Sequence, residues 1–172
     1  WNMIQTINKS LLEADTKYIA HQCNCTTTHS AGIAKAIFDR YPWANTYKNR
    51  KLASVQGTID IIENRKPYVI NMYIQYYPGK AKLSNLGNLF DSPFEFIIED
   101  SAKNRINYLR KCLNKISEIE NIESIGFPEG MGCRLAKGNW NDIRPILEEF
   151  AEKIYKEQNA QTFLYKYDNR TN

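Results

Sequence analysis

At 172 residues the chain has the length of one domain with a sizeable core, and two independent domains would be cramped. Hydrophobic residues make up 42% and charged residues 24%, the composition of a folded globular protein rather than a disordered one. The net charge of +4, from 23 basic and 19 acidic residues, suits a small anionic ligand and is too weak to argue for nucleic acid by itself. No apolar run approaches the roughly 20 residues of a membrane-spanning helix, and no charged-then-apolar signal pattern is read at the start. The opening at Trp1, without Met, is expected of an excised or processed segment. Cys23, Cys25, Cys112 and Cys133 are scattered, so free thiols are expected, in a reducing compartment, cytoplasm or nucleus.

In chain order, "MIQTI" (Met3 to Ile7) and "YIAHQCNC" (Tyr18 to Cys25) read as strands, the second ending in polar residues. "GIAKAIFDRYP" places Ile33, Ala36 and Ile37 at helical spacing, and Pro42 stops that helix. "GTIDIIE" and "PYVINMYIQYY" are β-branched and aromatic runs bounded by Gly57, Pro67 and the Pro78-Gly79 pair. Lys80 to Ser92 shows neither period and reads as a long surface loop of the kind that is often functional. Ala102, Ile106, Leu109, Leu113 and Ile116 form one apolar stripe of an amphipathic helix. "SIGFP" is a short buried strand. Ile143, Ile146, Leu147, Phe150 and Ile154 stripe another helix, with Asn141 as its N-cap and Pro145 early enough to be tolerated. "TFLYKY" closes as a last strand. Strands alternating with crossover-length helices predict a single α/β domain over 1–172, a sandwich with a largely parallel or mixed sheet.

Ligands bind such sheets at the carboxyl ends of strands, where strand hands over to helix. Two handovers are rich in small and polar residues: "HQCNCTTTHSAGIAKAIF" and "IGFPEGMGCRLAKGNW". Glycine lets neighbouring amides point into one concavity, and such a nest beside a helix N-terminus binds anions. Two of them at one sheet edge suit a diphosphate gripped from both sides.

"IAHQCNC" followed by "SAGIAKAIFDRYP", then "NMYIQYYPG", "IGFPEGMGCRLAKGNW" and "IRPILEEFA" resembles a macrodomain over nearly the whole chain. The nearest flavour is the branch of ADP-ribose 1″-phosphate phosphatases. The resemblance implies a three-layer α/β/α sandwich that binds ADP-ribose. It implies that Asn24 holds the distal ribose hydroxyls and that Gly32, Ile33 and Ala34 line the first phosphate loop. Gly130, Met131, Gly132, Cys133 and Arg134 would wrap the diphosphate from the other side. Cys23, Ser30, Ala31 and Pro128 flank these positions and join the expected ligand-binding set. His21, with Asn24, takes the catalytic positions. The usual Gly-Asp pair that meets adenine is replaced by Lys9-Ser10, leaving Ser10, Asp15 or backbone for that task. Arg134 and Lys137 stand where glycines are usual, and the Lys–Asp pair of the lysine-nucleophile glycohydrolases has no counterpart, Ala136 occupying the acidic position.

Each candidate has a plainer reading. His21 is either a satisfied core histidine or a proton-transfer group. Asn24 is either a ligand contact or a turn former. His21, Cys23, Cys25 and His29 invite a zinc alternative, but C-x-C on a strand splays the thiolates, so no metal and no cofactor is expected. Cys133 reads as packing rather than nucleophile, lacking an adjacent base. Asp91, Glu99 and Asp100 are further proton-transfer candidates, and Tyr76, Tyr77 and Phe127 are stacking candidates. The leading expectation is hydrolysis of ADP-ribose 1″-phosphate. Its rivals are a reader of ADP-ribose or ADP-ribosylated protein, a hydrolase that removes ADP-ribose from a target, and an RNA-binding module; no membrane partner is expected, and nucleic acid is disfavoured.

Overall fold

The computed structural model describes residues 3–85 and 97–166. Its main sheet uses β1 (Ile4–Ile7), β2 (Tyr18–Asn24), β3 (Thr58–Ile62), β4 (Tyr68–Gln75), β7 (Ser124–Pro128) and β8 (Gln161–Tyr165). The strand order is β1-β8-β7-β2-β4-β3, parallel at every pairing except the antiparallel β3–β4 edge. Alternation along the strands sorts side chains between two cores. In β4, Val69 and Tyr73 face one side with Ile19 and Cys23 of β2, while Ile70, Met72 and Ile74 face the other with Tyr18 and Ala20. Helix α1 (Gly32–Arg40) covers the first side through Ala34, Ile37 and Phe38. Helices α2 (Ala102–Ser117) and α3 (Trp140–Gln158) cover the second. All of the predicted α3 stripe is buried. Of the α2 stripe Leu109, Leu113 and Ile116 are buried and Ile106 partly so, while Ala102, in the exposed first turn, is not and Cys112 takes a core place instead. The result is the expected mixed α/β/α sandwich.

Four assignments differ from expectation. The α3 N-cap is Asn139, whose Oδ1 accepts from the Asn141 amide at 2.9 Å, because the helix already begins at Trp140. Within the stretch read as loop, Lys82–Asn85 is a strand, β5, paired antiparallel with β6 (Ile97–Asp100). Its pairing comes from a partner distant in sequence, which local periodicity does not report; residues 86–92 of that stretch lie outside the described residues. Strand β2 ends at Asn24 with a register shift, so Cys25 leaves the strand. The last strand runs Gln161–Tyr165, and Tyr167 lies outside the described residues.

Strands β2 and β7 are sheet neighbours, paired at Tyr18↔Ile125 and Ile19↔Gly126. The chain leaves β2 into α1 on one face and leaves β7 toward α3 on the other. A crevice opens at the carboxyl ends where neighbouring strands send their connections to opposite faces. Both small-residue handovers sit there.

Candidate functional site

The loop after β7 is a chain of tight turns. Met131 donates its amide to the Pro128 carbonyl, Cys133 to Gly130, Lys137 to Arg134, and Gly138 closes back on Gly132 at 2.8 Å. Gly130 and Gly132 hold φ of +74° and +79°, which side-chain-bearing residues rarely adopt. The amides of Gly132, Arg134, Leu135 and Ala136 have no acceptor among the described residues. Opposite stands the N-terminus of α1, whose N-cap Ala31 supplies no side-chain cap. Lys35 makes the helix's first backbone bond to Ala31, and the amides of Gly32, Ile33 and Ala34 have no acceptor among the described residues. The two loops meet: a Cβ added at Gly32 would stand 3.1 Å from Leu135 Cδ1. Two sets of amides without acceptors among the described residues therefore lie close together, one of them a helix N-terminus carrying partial positive charge.

Asn24 is 8% exposed and shapes the first loop. Its Oδ1 accepts from the amides of Thr26 (3.1 Å) and Thr27 (3.0 Å) and from the Thr27 hydroxyl, an Asx turn that reverses the chain out of β2. Arg50, which the sequence reading missed, locks the same loop. Its guanidinium donates to the Thr27 carbonyl at 2.9 Å and the Asn24 carbonyl at 3.0 Å, and stacks 4.5 Å from the Tyr47 ring centroid. No motif marks it. Ser30 is half-buried and Ala31, Gly32 and Ile33 are exposed at the crevice, whereas Ala34 packs beneath α1.

His21 and Cys23 point elsewhere. His21 is fully buried, with Nε2 2.6 Å from Asn71 Oδ1 on β4 and its ring edge-on to Phe38. Burial pushes the imidazole down to about 4 from 6.5, against the Asn71 hydrogen bond, so it is neutral near pH 7. The ring is packed between sheet and α1 rather than exposed at the crevice, with one nitrogen engaged by Asn71. Cys23 lies against it, 1% exposed, and burial raises its thiol pKa. Cys25 is buried and His29 exposed, and the described residues contain no cluster of three or more metal-ligating side chains. Cys133 is half-buried beneath the glycine loop with its thiol on the Met131 carbonyl. Pro128 and Met131 are buried under that loop, and Arg134 is exposed on it.

Asp100 is wholly buried and ion-paired. Arg105 of α2 meets its two oxygens at 2.9 Å each, and the amides of Tyr76 and Tyr77 donate to it at 3.0 and 3.1 Å. Arg105 also donates to the carbonyls of Gly79 and Tyr77. This node pins the end of β4 to α2; it is not available as a base. Glu99 is exposed and holds Asn104, Phe127 is core, Tyr76 and Tyr77 pack edge-on, and Asp91 lies outside the described residues. Beside this node a cleft of about 550 Å3 opens on the α2/α3 side of the glycine loop, reaching Gln22, Gly132 and Ala136. At the other end of the sheet edge, Ser10 spends its Oγ capping the turn Leu11–Glu13, and Lys9 pairs with the exposed Asp15 at 2.9 Å.

No protein-family model matches the chain. An uncharacterised 17.5 kDa protein from the tk–vs intergenic region of Enterobacteria phage T4 is 26% identical over 157 residues, 83% of this chain and 85% of that protein. Among solved structures, the macrodomain of Mycobacterium tuberculosis DarG matches with a TM-score of 0.61 at 17% identity, covering 96% of this chain and 98% of that one. A Trypanosoma brucei macrodomain in complex with ADP-ribose matches at 0.58 and 13% identity, covering 97% and 64%. Thermosipho africanus DarTG in complex with ADP-ribose matches at 0.66 and 13%, covering 95% of this chain and 41% of that one. By these similarities the chain has the macrodomain fold, a mixed, mostly parallel sheet between helical layers.

Proposed function

We propose that the chain binds ADP-ribose, with the diphosphate held between the α1 N-terminus and the glycine loop. The observation that carries this reading is the pair of unpartnered amide sets that meet at Gly32 and Leu135. Each supplies donors without a solvating side chain, and Arg134 adds a cation beside them. The solved macrodomains in complex with ADP-ribose support the choice of ligand. The cleft beyond Gly132 gives the distal ribose room for a substituent, so the ligand is read as a derivative extended at that end, with the 1″-phosphate as the candidate substrate for hydrolysis. The four unpaired thiols suit a reducing compartment, cytoplasm or nucleus.

A reader without turnover is the second reading. It is favoured because His21 is sealed and Asp100 ion-paired, so both side chains are spent on structure. Calorimetric titration with ADP-ribose, ADP and AMP tests binding, and phosphate release from the 1″-phosphate separates the two readings. Saturable ADP-ribose binding that is lost in Gly132→Glu is expected. No binding at millimolar ligand would overturn the proposal.

A further inference from the structure

The cleft beside the glycine loop is larger and more apolar than a sugar requires. At about 550 Å3 it lies within the range of sites that enclose a small molecule. Its floor is Ile74 at the end of β4, Ile106 and Leu109 on α2, and Ile143 on α3. Its rim carries Lys80, Lys103 and Lys137, none of which is ion-paired among the described residues. Asp142 is the carboxylate of the lining, and the charge of Arg105 is matched by Asp100, so the mouth remains net positive. Lys137 holds φ of +57°, a left-handed conformation that glycine adopts freely and lysine does not. A cation is thus kept at the mouth against the preference of the backbone. Gln22 adds a polar group: its Nε2 is spent on Gln75, while its Oε1 accepts from no donor among the described residues.

Apolar walls suit a flat ring, and clustered ammonium groups suit phosphate. We infer that this cleft is a second subsite for an aromatic ring carrying a phosphate, the chemistry of a nucleotide. The ring lies on Ile74, Ile106 and Leu109, with the phosphate among Lys80, Lys103 and Lys137. Because the cleft shares Gly132 and Ala136 with the diphosphate loop, an ADP-ribose unit joined through phosphate to such a ring fills both. That extension rests on the ADP-ribose reading.

The test is calorimetric titration of the whole chain, saturated with ADP-ribose, with AMP, adenosine and ribose 5-phosphate. AMP is expected to bind at least tenfold tighter than either fragment. Lys103→Glu, an exposed change outside the diphosphate loop, is expected to weaken AMP at least fivefold and to leave ADP-ribose affinity within twofold. Three results would overturn the subsite: no AMP binding to the saturated protein, fragments that bind as tightly as AMP, or AMP binding indifferent to Lys103→Glu. If ADP-ribose itself fails to bind, the proposed function falls. AMP binding to the unliganded chain that is weakened by Lys103→Glu would then still support the subsite.

Discussion

His21 links stability to pH through its burial. Above pH 6.5 the imidazole is neutral in folded and unfolded chain alike, so it makes no difference. Between about 6.5 and 4 the unfolded chain takes up a proton that the folded one refuses, so stability falls as pH falls. The full effect is roughly 3 kcal/mol, from the linkage of pKa to free energy. Urea midpoints measured from pH 7.5 to 4.5 should show this decline, and His21→Gln should flatten it. At Gly132 a Cβ would stand 2.6 Å from Gln22 Oε1 on a backbone at φ +79°. Gly132→Ala is therefore expected to cost about 1–3 kcal/mol of stability, read from the same melts, and to weaken ADP-ribose binding. Lys137→Gly should do the reverse for the fold, raising stability by about 1 kcal/mol through relief of a left-handed lysine. The glycines of this loop were legible in the sequence because their backbone requirement is local. The fate of His21 was not, because its burial is decided by Phe38 and Asn71, which pack from α1 and β4.

At the scale of elements, the node of Asp100 and Arg105 joins β4, β6 and α2. Removing one partner leaves a buried charge unpaired, so Arg105→Met is expected to cost about 3–5 kcal/mol in chemical denaturation. The paired change Asp100→Leu with Arg105→Met should recover part of that loss, although the amides of Tyr76 and Tyr77 would then lose their acceptor. The helix stripes were legible because the side chains that bury α2 and α3 recur at the helical period on a single face. The β5–β6 pair was not, since a short strand is made by its partner rather than by its own pattern. Arg50 and Arg105 were missed for a related reason. Each is an ordinary basic residue in sequence and becomes structural through carbonyls contributed by distant loops.

For the molecule as a whole, a ligand bound to the folded state alone raises its stability by mass action. ADP-ribose at one hundred times its dissociation constant should add about 2.7 kcal/mol, visible as a rise in the thermal midpoint. That rise should disappear in Gly132→Glu, provided the variant is first shown to fold by circular dichroism.

By itself the sequence determined the alternation of strands and helices and the two glycine-bearing handovers. These follow from periodicity and from the conformational freedom of glycine, which are properties of neighbouring residues. Tertiary structure decided which strands became neighbours and hence where the crevice lies. It also set Gly32 against Leu135, sealed His21, made Asn24 a turn former as it bounds the site, and opened the lysine-rimmed cleft. Those outcomes depend on contacts between segments far apart in the chain, and burial and charge pairing exist only once those segments have packed.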